Sequence, residues 1–287
     1  MTVLVLGGHG MAGHIITEYL RLQGTDDIWC TVREAEGEDP RALQLDVMDE
    51  QRLTDVLLQV KPRVVINAVG LLNEDADHRQ VNAIYVNSLL PHMLAQLGDI
   101  HGFQLIHIST DCVFSGRRGD YTEQDEADGK TVYARTKFLG EIHQAPHLTI
   151  RTSIIGPELK KDGIGLFHWF MQQEGDIRGY ERVYWSGVTT LELAKAILWL
   201  MERDLSGLVH LTSPRKISKL KLLALFKETF NRDNISIHAY DALSSDKSLI
   251  NTRQDFTYQV PSYREMLLEM RVWMSLYADT YSMYLQN

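Results

Sequence analysis

Thr2-Val3-Leu4-Val5-Leu6-Gly7-Gly8-His9-Gly10-Met11-Ala12-Gly13 opens on a short aliphatic run that breaks directly into glycines. Residues 3–6 are uninterrupted aliphatics, the pattern of a strand buried on both faces. Beyond the break, Met11, Ile15, Ile16, Tyr19, Leu20 and Leu22 recur at helical spacing. Gly7, Gly10 and Gly13 therefore lie three apart in a strand-to-helix turn. Such a turn wants little side chain: one glycine permits the bend, one admits a pyrophosphate to the backbone N–H groups, and one packs helix against strand. The helix N-terminus then faces the anion with its partial positive charge. No Lys-Ser or Lys-Thr follows, which argues against a phosphate loop of the nucleotide-triphosphatase kind. Gly7, Gly10, Met11 and Gly13 are expected to cradle a dinucleotide, the alternative being a turn that is merely tight.

The flanking pattern agrees. Strands are expected at 28–32, 42–45, 64–68 and 104–110, and helices at 49–60 and 77–97, with Pro91 predicting a break inside the latter. This alternation predicts an α/β chain: a Rossmann doubly wound parallel sheet over residues 1–155, followed by a smaller C-terminal α/β substrate-binding lobe. That lobe is expected to take up most of 156–287, with a segment near 183–203 returning to the first domain. Helices at 190–203, 218–230 and 262–284 and strands at 208–212 and 235–239 complete the reading.

Composition narrows the partners. The net charge of −9 over 287 residues argues against a general nucleic-acid binder. No stretch approaches the roughly 20 apolar residues of a membrane span, and residues 2–6 are too short for a signal peptide, so a cytoplasmic address is expected. Cys30 and Cys112 read as buried free thiols, and no histidine spacing suggests a metal site. Helix faces that would build a homodimer cannot be told from faces that pack internally.

The second strand ends Cys30-Thr31-Val32-Arg33, without the acidic residue that would take the ribose hydroxyls of NAD. Arg33 can instead meet a 2′-phosphate with its fork of donors, which favours NADPH, with NADH as the alternative. Further on, Tyr133-Ala-Arg-Thr-Lys137 sits at the start of an expected helix, where positions four apart share a face. A neighbouring ammonium favours the ionised phenol, making Tyr133 an acid–base group. Taken alone, this spacing usually marks an exposed helix face. Its weight comes from Ser109-Thr110-Asp111, at the carboxyl end of the fifth strand, where open α/β sheets bind ligands.

With these residues in hand, the chain resembles the extended short-chain dehydrogenase/reductases, and among them the dTDP-4-dehydrorhamnose reductase-like branch. The matching segments are the glycine turn, Asp46-Val47, Asn67-Ala68-Val69-Gly70, Ser109 to Gly116, Tyr133 to Lys137 and Arg151-Thr152-Ser153. The resemblance implies Thr110, Tyr133 and Lys137 as the catalytic group. It places Asp46 and Val47 along the adenine, and Ala68, Gly70, Tyr133 and Lys137 along the cofactor. Asp111, Cys112, Trp185, Arg178 and Lys247 become candidate substrate contacts. The implied reaction is NADPH-dependent reduction of a nucleotide-linked 6-deoxy-4-keto sugar for surface polysaccharides, of either the dTDP-4-dehydrorhamnose or the UDP-2-acetamido-2,6-dideoxyhexos-4-ulose kind. An epimerase that retains NAD(H) and a non-catalytic NADP-binding regulatory subunit stay open. Cys112 replaces the tyrosine usual after the Thr-Asp pair, and it is not the glutamate of the dehydratases.

Overall fold

Seven parallel strands carry the glycine turn in the computed structural model, which describes residues 1–24, 27–34 and 39–285. The chain begins β1 (Thr2–Leu6), α1 (Gly13–Leu22), β2 (Asp27–Val32), β3 (Ala42–Gln44), α2 (Glu50–Val60) and β4 (Val64–Asn67). A helical run follows: α3 (Asn73–His78), α4 (Gln80–Ala83), a widened π-type turn over Ile84–Leu89, and α5 (Leu90–His101). Then come β5 (Gln104–Thr110), a short turn at Asp111–Val113, α6 (Val132–Leu139), β6 (Leu148–Thr152) and β7 (Ile154–Ile155). The rest is α7 (Leu166–Met171), β8 (Gly175–Trp185), β9 (Val188–Thr189), α8 (Thr190–Met201), β10 (Gly207–His210), β11 (Ile217–Ser218), α9 (Lys219–Thr229), β12 (Ile235–Asp246), α10 (Tyr263–Leu276) and α11 (Ser282–Leu285).

The main sheet runs β3-β2-β1-β4-β5-β6-β10. This is the expected doubly wound Rossmann sheet, and its strand order reverses between β1 and β4, where such folds open a crevice at the carboxyl edge. β10 adds the seventh strand through parallel pairing with β6. Ile15, Ile16 and Leu20 of α1 share one apolar cluster with Leu193, Ala194 and Ile197 of α8 and with Met270 and Trp273 of α10. The C-terminal half is thus welded to the first by a continuous core.

A second sheet, β11-β8-β12, forms the other wall. Its central strand was not anticipated: Gly-Asp-Ile-Arg-Gly-Tyr-Glu-Arg-Val-Tyr-Trp has two glycines and no clean alternation, so it lacks a period-2 signal. β12 likewise runs past the expected 239 to Asp246, with a register shift between Tyr240 and Ser244. The expected helix 262–284 is two helices, α10 and α11.

The break predicted from Pro91 is displaced one turn upstream, into Ile84–Leu89. Pro91 lacks an N–H to give to the carbonyl four residues back, and Asn87 stands at that position. The freed carbonyl lies where Gly140 comes closest, since a Cβ built on Gly140 would stand 1.9 Å from Asn87 O.

Candidate functional site

The glycine turn is built as a cradle. Gly7 has φ +88°, a left-handed conformation that side chains resist, and a Cβ on Gly13 would fall 2.1 Å from Gly7 O. The loop satisfies part of itself: Gly7 N–H donates to Thr31 Oγ1 (3.2 Å), Gly8 N–H to Thr31 O (2.7 Å) and Gly10 N–H to Gly7 O (2.9 Å). The N–H groups of Met11 and Ala12 find no acceptor among the described residues, and they open α1. Free donors at a helix N-terminus fit a pyrophosphate. His14 braces the loop from below, pairing Nδ1 with Gly10 O (2.8 Å) and Nε2 with the Tyr281 hydroxyl (3.0 Å). Burial lowers its pKa to about 4, so it is a neutral strut.

Around the turn, the segment after β4 crosses Gly7, with Ala68 O 3.5 Å from where a Gly7 Cβ would sit. Gly70 is held near Asn87, whose side chain pairs with both Leu71 N–H and Leu71 O (each 2.9 Å) and donates to Thr136 Oγ1 (3.1 Å). Asn87 therefore links the cofactor-side loop to α6. Nothing in a single sequence marks one asparagine inside a helical run as such a link. Arg33 is exposed at the end of β2, its carbonyl accepting from Gln44 Nε2 (3.1 Å). Asp46 is exposed and Val47 buried beside it.

Thr110 ends β5, and its hydroxyl accepts from Cys112 N–H (3.1 Å) and donates to Asp111 Oδ1 (3.2 Å). Thr131 caps α6, accepting from Ala134 N–H, and so sets the first turn that presents Tyr133. Burial raises the Tyr133 pKa above the usual phenol range. The opposing influence comes from the Thr110 hydroxyl, not from Lys137. Lys137 points into the sheet instead: Nζ donates to Ile108 O at 2.8 Å and lies 3.3 Å from His107 Nε2. Burial brings its pKa down to about 8, against a smaller upward pull from Glu141. A buried amine must find hydrogen-bond partners, and the carboxyl end of β5 supplies them.

Of the residues expected to meet substrate, Asp111, Cys112, Trp185 and Lys247 lie around one region, and Arg178 does not. Burial raises the pKa of Asp111, and the charges that oppose this are Lys247 and Lys219. Lys219 went unrecognised in the sequence. It is the first residue of α9 after the cap Ser218, is largely buried, and stands 5.5 Å from the centre of the Trp185 ring. Its only sequence signal was a Ser-Lys pair opening a helix. Burial raises Cys112 to about 11, so it stays a thiol. Trp185 is buried, donates Nε1–H to Ser153 Oγ (2.9 Å) and packs on Tyr263, so its ring is a wall between Lys219 and the core. Arg178 is not brought into this group. It is exposed, stacks on Tyr240, and stands seven residues along β8 from Trp185, roughly 23 Å in a strand.

Behind the site runs a buried polar chain. Ser109 Oγ donates to Glu141 Oε1 (2.7 Å), and Arg151 grips both oxygens of Glu141 at 2.6 Å. Arg151 Nη1 meets His210 Nε2 at 3.4 Å, and His210 N–H donates to Glu123 Oε1 (3.0 Å). This chain ties β5, β6 and β10 together below Thr110.

A family model described as the RmlD substrate binding domain matches residues 1–267. Among curated proteins, the chain is 24% identical over 243 residues to the methionine adenosyltransferase 2 subunit beta of Danio rerio, covering 80% of this chain and 74% of that protein. It is 24% identical over 217 residues to the spore coat polysaccharide biosynthesis protein SpsK of Bacillus subtilis, covering 74% and 73%. Among solved structures, the dTDP-4-dehydrorhamnose reductase of Bacillus anthracis in complex with NADP superposes with a TM-score of 0.80 at 19% identity, over 95% of this chain and 99% of that one.

Proposed function

The chain belongs to the RmlD substrate binding domain family, and from that premise we propose that it reduces the 4-keto group of a nucleotide-linked 6-deoxy-4-keto sugar with NADPH. The observation that carries this is that Thr110 ends β5 and Tyr133 stands in the first turn of α6, which packs on that strand, beside a glycine turn with no room for a Cβ at Gly13. The cofactor supplies hydride to a carbonyl carbon when bound. Met11 and Ala12 N–H groups hold its pyrophosphate and Arg33 its 2′-phosphate.

Tyr133, protonated throughout the neutral range because burial raises its pKa, donates its proton to the developing alkoxide. That suits reduction, in which the enzyme must begin as an acid. Thr110 turns its hydroxyl from Asp111 to the same oxygen. Such acid catalysis contributes about 10²–10⁴-fold, and positioning supplies the rest. Lys219 and Lys247 face the cleft opposite Asp111 and meet the charged part of the substrate.

The test is NADPH oxidation against dTDP- and UDP-linked 4-keto-6-deoxy sugars, with and without a 2-acetamido group. Turnover on one member is expected. Lys219→Met should raise its KM roughly tenfold or more, and Arg33→Ala should lower the preference for NADPH over NADH by about tenfold. Silence across the panel with NADPH still bound would sink the reductase reading. It would favour a non-catalytic subunit, a role that fits the name of the Danio rerio relative.

A further inference from the structure

Val69 N–H donates to Asn67 Oδ1 at 3.1 Å, and since a backbone amide can only donate, this contact decides how the Asn67 amide is turned. Asn67 Nδ2 then faces His107 Nδ1 at 3.2 Å, so that ring nitrogen must present its lone pair. His107 is fully buried, and burial holds its pKa far below the usual imidazole range. It is therefore neutral and carries its single proton on Nε2, the atom 3.3 Å from Lys137 Nζ. An ammonium has three donors and no acceptor, so a charged Lys137 would set donor against donor. An amine has one lone pair: it accepts from His107 Nε2–H while one of its own hydrogens goes to Ile108 O.

We infer that His107, locked in one tautomer by Asn67, is a positioning residue that receives Lys137 as a neutral amine and so sets how readily Lys137 takes up a proton. The inference rests on the reductase reading only for its kinetic consequence. Several titratable groups stand on the surrounding elements: Asp111 and Cys112 beyond β5, Tyr85 in the widened turn, Glu74, Asp75 and Asp77 on α3, and His92 on α5. Among the described residues, the charge that acts on Lys137 is Glu141, itself paired with Arg151, while Lys137 and, more weakly, His92 act on His107. Once protonated, Lys137 loses its place at His107, and the ammonium swings along the α6 face it shares with Tyr133. The working ammonium is thus lost as pH rises through about 8.

The test is a pH titration of the full chain labelled with ¹³C-lysine, without ligand, the Lys137 signal being identified by its loss in Lys137→Arg. Lys137 should titrate near pH 8, about two units below an ordinary lysine. His107→Gln offers a carbonyl oxygen that accepts from an ammonium. Asn67→Asp turns the proton of His107 to Nδ1 and leaves a lone pair facing Lys137. Each variant should raise the midpoint by about one unit or more, and the alkaline limb of kcat/KM should move with it. A wild-type midpoint among the ordinary lysines, or a midpoint unmoved in whichever variants fold, overturns the inference. So does a loss of activity in the variants with the alkaline limb in place. Absence of turnover on every sugar nucleotide defeats the reductase reading while leaving these midpoints as they are.

Discussion

In the proposed reduction the proton transfer falls to one hydroxyl, that of Tyr133. Burial holds its proton on, Thr110 draws the other way, and Lys137 stands aside at His107. The spacing of Tyr133 and Lys137 on one helix was legible because it follows from helical geometry alone. The direction of the lysine was not, since it depends on hydrogen-bond partners about thirty residues away on β5. Tyr133→Phe removes the proton donor and leaves the ring's packing intact. It should lower kcat by at least about tenfold with NADPH affinity unchanged, as read by steady-state kinetics and fluorescence titration. Undiminished turnover would remove Tyr133 from the mechanism.

Among the elements, α6 carries Tyr133 and Lys137, and its seat is made by the widened turn of Ile84–Leu89. Asn87 and Ser88 hold it by donating to Thr136 Oγ1 and Thr136 O (3.1 and 2.8 Å). Gly140 lets the end of α6 touch the Asn87 carbonyl. Pro91 announced a disturbance in this helical run; only packing decided that it would fall one turn earlier and become a socket for α6. Gly140→Ala should force α6 away from that socket, costing about 1–3 kcal/mol as overpacking does. Thermal unfolding should show the loss as a fall in Tm, and kcat should drop with it because Tyr133 moves. A variant with wild-type Tm and kcat would mean that α6 tolerates the shift.

Across the molecule, the two sheets share one apolar core, and a buried polar chain runs within the larger of them. Tyr281 reaches His14 under the glycine turn, and Tyr284 receives Glu158 N–H at 2.9 Å, so residues 281–285 are packed into the body. The Glu141–Arg151 pair joins β5 and β6 beneath Thr110, and His210 carries the link to β10. Arg151→Leu strands a buried carboxylate and should cost about 3–5 kcal/mol, whereas Glu141→Leu with Arg151→Leu should cost clearly less. Urea midpoints of the two variants decide it, and equal losses would show that the pair has no such dependence. The sequence by itself determined the Rossmann half, because aliphatic runs, helical periodicity and a glycine turn are local signals tied to backbone geometry. It also brought Thr110 and Tyr133 forward, since the end of a parallel strand and the first turn of a helix are topologically defined places. Tertiary structure alone decided what surrounds them. Lys219 comes to Trp185 and Asp111, Arg178 stays apart from them, and Lys137 turns to His107, because long-range packing and the pairing of buried donors with acceptors leave no periodic trace along a chain.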